Sequence, residues 1–227
     1  MVNKPRRRKQ QGHGRAYLTL GIILVLVVGG ISYAYAAGLG PFGKQSASTT
    51  TPSLLYARVN TTYGSFEIEL FNSLTPKTVA NFVNLVNQGF YNNLVWHRIA
   101  KDFVIQTGDP ATRYGGGSRD EWGFNNSGVY VPFEYVPSLH NDEYYLAMAS
   151  TGAGVGGSSQ FYINLGNNSI ALDGKWAVFG EVISGMSIVQ AIGNAPTETV
   201  NLVNKAGPMP EPNPPVYVTS ITMINGP

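Results

Sequence analysis

A run of 22 uncharged residues, from Ala16 to Ala37, limits what this chain can fold into more than any other feature of its sequence. As an α-helix with a rise of about 1.5 Å per residue, the run would be about 33 Å long. That length crosses the hydrocarbon core of a bilayer, which is about 30 Å thick. Tyrosines stand near both ends of the run, as is typical at a membrane surface. The run therefore predicts one transmembrane helix over residues 16–37.

The charges before this run predict its orientation. Residues 1–15 contain six basic residues and no acidic one, and positive segments stay cytoplasmic. The sequence thus predicts a cytoplasmic tail over residues 1–15, a signal anchor, and a domain outside the cytoplasm. The alternative is secretion after signal cleavage, since Ala34-Tyr35-Ala36 has the small-x-small pattern of a cleavage site. The apolar run exceeds the usual signal-peptide core of about 7 to 15 residues, which favours the anchor.

The remainder divides into a linker and one domain. Residues 38–53 are rich in Gly, Ser, Thr and Pro and predict a flexible linker, and residues 54–227 are long enough for one sizeable core. The chain has no cysteine, which excludes disulfides and a thiolate nucleophile. The net charge of +2 does not predict a nucleic-acid partner, because the basic residues are concentrated in the tail and not on the domain.

Hydrophobic periodicity predicts the elements of the domain. Residues 56–60 and 65–70 alternate apolar and polar side chains, which is typical of a hairpin. A helical period then begins at Pro76, with Thr75 as the predicted cap and Gly89 as the predicted end. Further strands are predicted at 94–99, 103–107, 144–149, 160–164, 177–181 and 216–223, a second helix at 186–192, and loops at 108–140 and 194–215. Short strands with two isolated helices favour an antiparallel barrel with helices at its ends.

Several kinds of chemistry have no support in the sequence. The chain has three histidines, no HExxH and no GxSxG, so we expect no metal site, no cofactor and no hydrolytic triad. Gly152–Gly157 fits the spacing GxGxxG of dinucleotide-binding loops. That motif requires a helix at its last glycine, whereas residues 158–164 are strand-like. We interpret the segment as a glycine-rich loop.

The informative segment is 96–109, WHRIAKDFVIQTGD, in which an arginine is followed five residues later by phenylalanine and eight later by glutamine. It resembles the signature of the cyclophilins, the peptidyl-prolyl cis–trans isomerases, which reads roughly FHR(V/I)xxxFxxQxGD. Other blocks resemble the family in the same order: 61–70, 76–82, 146–149 with 157–163, and 172–175 with 178–182. The resemblance covers about residues 55–225.

The resemblance implies a mainly β fold, a closed eight-stranded antiparallel barrel capped by two helices and preceded here by the transmembrane helix. It also implies a site in this chain. The residues that match catalytic positions are Arg98, Phe103 and Gln106. Those that match substrate-binding positions are Val104, Ala149, Ser150, Thr151, Gln160, Tyr162, Leu172 and Trp176.

Departures from the family pattern concern the rim of the site. Val104 stands where the family often has methionine, and Ser150 lies in a stretch where Ala-Asn-Ala is common. Ala171 lies where many members carry a tryptophan that supports cyclosporin binding, so cyclosporin binding is in doubt. Trp176 lies where histidine or tyrosine is frequent. The segment 111–141 is longer than is typical of the family. Sequons at Asn60, Asn125 and Asn167 are compatible with glycosylation outside the cytoplasm.

The chemistry of these residues suits an isomerase. Rotation about an X–Pro bond breaks no bond, so it requires neither an acid–base pair nor a metal. We therefore expect an enzyme that acts on proline-containing segments of extracytoplasmic proteins and assists their folding. The alternative is a catalytically weak binding module or holdase on the same fold, which the altered rim at Val104, Ser150, Ala171 and Trp176 favours.

Overall fold

A computed structural model of the protein describes residues 54–200 and 209–227. The predicted tail, transmembrane helix and linker, over residues 1–15, 16–37 and 38–53, lie outside these two ranges. Within them, no helix combines the length and the apolar character needed to cross a membrane. The described residues belong to one unit of the chain, Pro52–Pro227.

The described residues form eleven strands and three α-helices. Two 3-10 segments, Pro110–Gly115 and Arg119–Glu121, lie in the predicted loop at 108–140. The helices are α1 (Pro76–Asn87), α2 (Ser169–Leu172) and α3 (Met186–Gly193). The strands are β1 (Leu55–Thr61), β2 (Gly64–Leu70), β3 (Leu94–Val95), β4 (Arg98–Ala100), β5 (Val104–Thr107), β6 (Tyr145–Met148), β7 (Phe161–Asn164), β8 (Val178–Ser184), β9 (Thr197–Val200), β10 (Met209–Pro212) and β11 (Tyr217–Ile224).

Nine of the strands form one curled, antiparallel half-barrel sheet in the order β3-β11-β1-β2-β8-β6-β7-β5-β4. The prediction of a mainly β fold is confirmed, but the prediction of a closed eight-stranded barrel is wrong. The two edge strands of the described sheet, β3 and β4, do not pair with each other. Only Trp96 and His97 separate them along the chain, and the single strand predicted at 94–99 is broken at these two residues.

The core lies on the inner face of this sheet, under α1 and α3. Phe66, Ile68 and Leu70 of β2 are buried on one face, as their alternation predicted. The phenylalanine of α1, Phe82, lies with its ring centroid 5.5 Å from the rings of Phe161 and Phe179. Aromatic pairs of this kind stabilise a fold by about 0.5 to 1.5 kcal/mol beyond the area they bury. The core thus connects α1 to β7, one of the strands that carry the site.

The N-terminus of α1 is capped by a residue from a distant part of the chain. Thr75 is the N-cap residue of α1 and Pro76 its first residue, as predicted, but the Thr75 hydroxyl donates to the carbonyl of Phe71 and makes no capping hydrogen bond. The carboxylate of Glu134 accepts hydrogen bonds from the backbone amides of Lys77 (3.2 Å) and Thr78 (2.7 Å). An anion at a helix N-terminus satisfies free amides and interacts favourably with the helix dipole. The long segment 111–141 therefore contributes directly to α1.

Replacing Glu134 with alanine is expected to lower the free energy of unfolding by about 1 to 2 kcal/mol, the usual cost of a lost helix cap. Urea unfolding followed by circular dichroism measures the change. Glu121→Ala, at an exposed glutamate of the same segment, is the matched control and is expected to change stability by less than about 0.5 kcal/mol. Equal effects of the two substitutions would contradict the capping role.

The predicted loop at 194–215 contains a second, two-stranded sheet of β9 and β10. Arg119 connects this sheet to the segment 111–141. Its guanidinium forms ion pairs with Glu198 and with the fully buried Glu211, and it donates to the carbonyl of Pro212. These contacts place β10 beside the segment that lines one wall of the site.

Candidate active site

Strand register brings the three central side chains of the predicted site to one face of the sheet. In the pairing of β4 with β5, Arg98 is opposite Gln106, and in the pairing of β5 with β7, Gln106 is opposite Tyr162. Directly opposite residues on antiparallel strands have Cβ atoms about 4.5 to 5.5 Å apart. Residues distant in sequence therefore become neighbours in a row across three strands.

A cavity of about 330 Å³, the first cavity, opens over this row. Every residue that lines it belongs to the predicted site. They are Arg98, Phe103, Val104, Gln106, Ala149, Ser150, Tyr162, Leu172 and Trp176. The structure thus brings these side chains together as predicted, while their catalytic and binding roles stay predictions.

Arg98 is the charged group of the first cavity. Its guanidinium carbon lies 5.6 Å from the centroid of the Phe103 ring, and its Nη1 donates to Oε1 of Gln106 at 3.4 Å. Burial lowers the pKa of Arg98, but an arginine stays charged at neutral pH. In the part of the chain that the structure describes, Arg98 forms no ion pair with a carboxylate. Its charge is therefore available to a bound molecule.

Gln106, the hydrogen-bond partner of Arg98, is held in one orientation by Gln160. Nε2 of Gln106 donates to Oε1 of Gln160 at 2.9 Å, and Nε2 of Gln160 donates to the carbonyls of Gly123 (3.0 Å) and Asn125 (2.7 Å). Because an amide nitrogen only donates, the two carbonyls determine the orientation of Gln160. Gln106 must then direct its own nitrogen to Gln160, which leaves its oxygen for Arg98.

Asp109 holds the backbone on which this chain of hydrogen bonds ends. Its carboxylate is fully buried and accepts from the amides of Ala111 (2.8 Å), Gly123 (2.6 Å) and Asn125 (3.2 Å). No role for Asp109 was predicted from the sequence. Its place at the end of the segment 96–109 is the one sequence feature that points to it. Its partners Gly123 and Asn125 lie fourteen and sixteen residues further along, in a stretch with no periodicity.

A second cavity, also of about 330 Å³, adjoins the first. Two predicted site residues, Thr151 and Gln160, line this cavity and not the first, whereas Gln106, Ala149 and Ser150 line both. Eight of its lining residues were not predicted, and four of these that are not glycine come from the segment 111–141 and from β10. These are Phe124, Asn126, Tyr130 and Met209. No sequence pattern marks them, because each comes from a part of the chain predicted as loop.

The glycine-rich loop at 152–157 lies beside the second cavity and contains no helix, which confirms its interpretation as a loop. Its last two glycines are required by close packing. A Cβ at Gly156 would lie 1.7 Å from the carbonyl oxygen of Val131, and one at Gly157 would lie 2.2 Å from Cγ of Met148. Within the described ranges, no group of three or more His, Asp or Glu side chains could hold a metal ion.

An exposed ion pair lies behind the first cavity, where Nδ1 of His140 is 2.7 Å from Oδ2 of Asp173. The hydrogen bond to Asp173 raises the pKa of His140, outweighs the opposing effect of desolvation, and is assisted by the charges of Asp173 and Asp142. Desolvation alone would raise the pKa of Asp173, but hydrogen bonds from Asn141 and His140 lower it overall.

We expect NMR titration of the His140 ring to give a pKa above the ordinary value of 6.5. Because the pKa is raised in the folded state, the stabilisation by His140 is complete below about pH 6.5 and is lost as pH rises through the folded-state value. Asp173 has the opposite sign, and its contribution is lost as pH falls through its lowered pKa. Asp173→Asn should return the pKa of His140 towards 6.5, and the control Asp142→Asn should lower it less. An unchanged titration in Asp173→Asn would contradict the pairing.

The fold and the site together define a class of protein. A curled antiparallel sheet carries a small cavity with an aromatic floor and an arginine that has no carboxylate partner among the described residues, which is the arrangement expected for a prolyl isomerase. The sequence profile of the family described as "Cyclophilin type peptidyl-prolyl cis-trans isomerase/CLD" matches residues 56–223. The chain belongs to the cyclophilin-type peptidyl-prolyl cis–trans isomerase family.

Relatives and solved structures agree with this assignment. The chain is 40% identical over 141 residues to peptidyl-prolyl cis-trans isomerase-like 1 of Aspergillus fumigatus, covering 62% of this chain and 83% of the relative. It is 33% identical over 167 residues to a peptidyl-prolyl cis-trans isomerase of Acinetobacter baylyi, covering 72% of this chain and 82% of the relative. A crystal structure of a cyclophilin-type isomerase of Cryptosporidium parvum is similar with a TM-score of 0.62 and 29% identity, covering 77% of this chain and 99% of the other.

Proposed function

We propose that this protein accelerates cis–trans rotation about X–Pro bonds in extracytoplasmic proteins and so assists their folding. The observation that carries the proposal is the position of Arg98, whose charge has no carboxylate partner among the described residues. It lies at a cavity with Phe103 on its floor and Tyr162 and Leu172 on its walls. The three apolar or aromatic side chains would hold the prolyl ring. Arg98 would act on the bond itself.

The physics of the reaction explains why an arginine suffices. Amide resonance opposes rotation with a barrier of about 18 to 20 kcal/mol, and X–Pro bonds exchange over tens to hundreds of seconds without a catalyst. As the bond rotates, resonance is lost and the lone pair localises on the prolyl nitrogen. A guanidinium that is already in place stabilises this state without reorganisation. The hydrogen bond from Gln106 to Gln160 keeps the partner of Arg98 in place during the step.

Ala-Pro peptides are a suitable probe. The structure of a Cryptosporidium parvum cyclophilin-type isomerase determined in the presence of the dipeptide Ala-Pro is similar to this chain with a TM-score of 0.60 and 30% identity. In our proposal, the prolyl ring enters the first cavity and the chain on either side runs along residues 149–151, of which Ala149 and Ser150 line both cavities. Residues of the bound protein segment near the proline would reach the second cavity.

The test is an isomerisation assay on the purified full chain with an Ala-Pro peptide. NMR exchange spectroscopy measures the rate of cis–trans exchange. Acceleration in proportion to enzyme concentration is the expected result. The competing function is the binding module or holdase, which the rim residues Val104, Ser150 and Trp176 favour. Binding of the peptide without acceleration would overturn the enzyme proposal and support that alternative. Ala171, the other altered position, is exposed on α2 and lies outside both cavity linings.

We also propose that residues 16–37 anchor the protein in a membrane, with residues 1–15 in the cytoplasm. The support is the length of the apolar run and the basic cluster before it. In cells, the protein should sediment with membranes, and protease added outside the intact cytoplasmic membrane should digest the domain. N-terminal sequencing that begins after Ala36 would overturn the anchor and support secretion after cleavage. A protease-resistant domain in intact cells would overturn both locations.

A further inference from the structure

A cluster of four polar side chains lies directly behind the first cavity. Asn141 and Asn164 are almost completely buried, and Asn168 and Asp173 flank α2 at its beginning and its end. We refer to these four residues as the polar cluster. None of them lines either cavity, and none was predicted from the sequence as a site residue.

The polar cluster contacts the wall of the first cavity through the hydroxyl of Tyr162. This hydroxyl donates to Oδ1 of Asn141 at 2.8 Å. Burial strongly raises the pKa of Tyr162, so the hydroxyl stays a neutral donor. A phenylalanine at this position would be held by packing alone. In this chain the hydroxyl fixes the ring to a specific partner.

Asn141 in turn is fixed by Asp173. Its backbone amide and its Nδ2 both donate to Oδ1 of Asp173, at 2.8 and 3.0 Å. Because Nδ2 is committed to this carboxylate, Oδ1 of Asn141 must face the hydroxyl of Tyr162. Asp173 directly follows Leu172, which lines the first cavity. Asn141 therefore bridges two walls of the cavity that belong to different elements.

The same cluster reaches the floor of the cavity. Nδ2 of Asn168 donates to the carbonyl of Phe103 at 2.8 Å. The backbone amide of Asn168 donates to the carbonyl of Asn141, also at 2.8 Å, which joins Asn141 to the start of α2. The floor and two walls of the first cavity are thus held by one hydrogen-bonded unit.

We propose that Asn141 is a positioning residue for the proline-binding site, which sets Tyr162 and Leu172 at a fixed separation through the Tyr162 hydroxyl and the Asp173 carboxylate. This inference rests on the proposed function, in which the first cavity takes the prolyl ring. Small displacements of groups that hold a reacting substrate cause large losses of rate. A site whose walls come from separate elements therefore benefits from a direct bridge between them.

The test is a double-mutant cycle on kcat/KM with Tyr162→Phe and Asn141→Ala in the full chain. Each substitution removes one side of the same hydrogen bond. We expect each single variant to lower kcat/KM about three- to ten-fold, and the double variant to lose no more than the worse of the two. Losses that multiply, or an Asn141→Ala variant with unchanged kcat/KM, would overturn the inference.

A second pair of variants separates positioning from general stability. Asp173→Asn keeps an oxygen that can accept from Asn141, whereas Asp173→Ala removes it. We expect Asp173→Asn to retain most of the kcat/KM that Asp173→Ala loses, with melting temperatures measured for both. Asn84→Ala, at an exposed residue of α1, is the control and should leave kcat/KM unchanged. Equal activity of the two Asp173 variants would contradict the bridge.

Binding and isomerisation of an Ala-Pro peptide by the wild-type chain report separately on the bridge and on the proposed function. If the wild-type chain binds an Ala-Pro peptide without accelerating its isomerisation, the same cycle is measured on the dissociation constant, where non-additive losses still support the bridge. If the wild-type chain neither binds the peptide nor accelerates it, the proposed function is overturned, and this inference with it.

Discussion

Replacing Arg98 with alanine is expected to lower kcat/KM for X–Pro isomerisation by at least about 100-fold, the usual cost of removing a preorganised donor from a transition state. The guanidinium lies at the first cavity and forms no ion pair with a carboxylate among the described residues. Its loss removes the only charged side chain that the described part of the chain contributes to this cavity. The isomerisation assay on the full chain measures the effect directly.

Two further variants test the reason for that loss. Arg98→Lys keeps a positive charge but lacks the planar fork that reaches Gln106 and stacks on Phe103, so we expect intermediate activity. Arg58→Ala is the matched control, because Arg58 is half exposed and pairs with Glu67 on the outer face of the sheet. It should leave kcat/KM unchanged. Full activity in Arg98→Ala would exclude Arg98 as a catalytic residue.

Replacing Asp109 with alanine is expected to lower the free energy of unfolding by about 3 kcal/mol, because three backbone amides lose their acceptor. The carboxylate is fully buried and receives hydrogen bonds from Ala111, Gly123 and Asn125. Urea unfolding of the full chain, followed by tryptophan fluorescence, measures the change. Since domains are stable by only about 5 to 15 kcal/mol, a loss of this size is a large fraction of the total.

The Asp109 substitution should also affect the site, because the carbonyls of Gly123 and Asn125 orient Gln160. Asp109→Asn retains one acceptor oxygen and is expected to give an intermediate loss of stability. Asp102→Asn, at an exposed aspartate of the segment 96–109, is the control and should change stability by less than about 0.5 kcal/mol. An Asp109→Ala variant as stable as this control would show that the buried carboxylate contributes little.

Elements with a clear local period were predicted from the sequence. The hairpin of β1 and β2 and the helix α1 form where alternation and the helical period placed them, and Gly89 follows the end of α1 with a positive φ of 66°. These elements can be predicted because each depends on side chains within a few residues of one another along the chain. The residues of the first cavity were predicted for another reason, namely the resemblance of residues 96–109 and four further blocks to one family.

Elements whose partners are distant were not predicted. The strands β9 and β10 lie in a stretch read as loop, since their residues show no alternation that distinguishes them from a loop. The closed barrel was implied by the resemblance, but in the described residues the sheet stays open between β3 and β4. The break at Trp96 and His97 has no signal in the sequence, because residues 94–99 contain no Gly, Pro, Asn or Asp that would mark a turn.

The sequence by itself determined the local elements, the family and the residues that line the first cavity. Only the tertiary structure decided how these residues are held. Glu134 caps α1 from 56 residues away, and Asn141 reaches Tyr162 across 21 residues. Hydrogen bonds of this kind form only where the fold brings two polar groups together. They cannot be predicted from the residues within a few positions of either group.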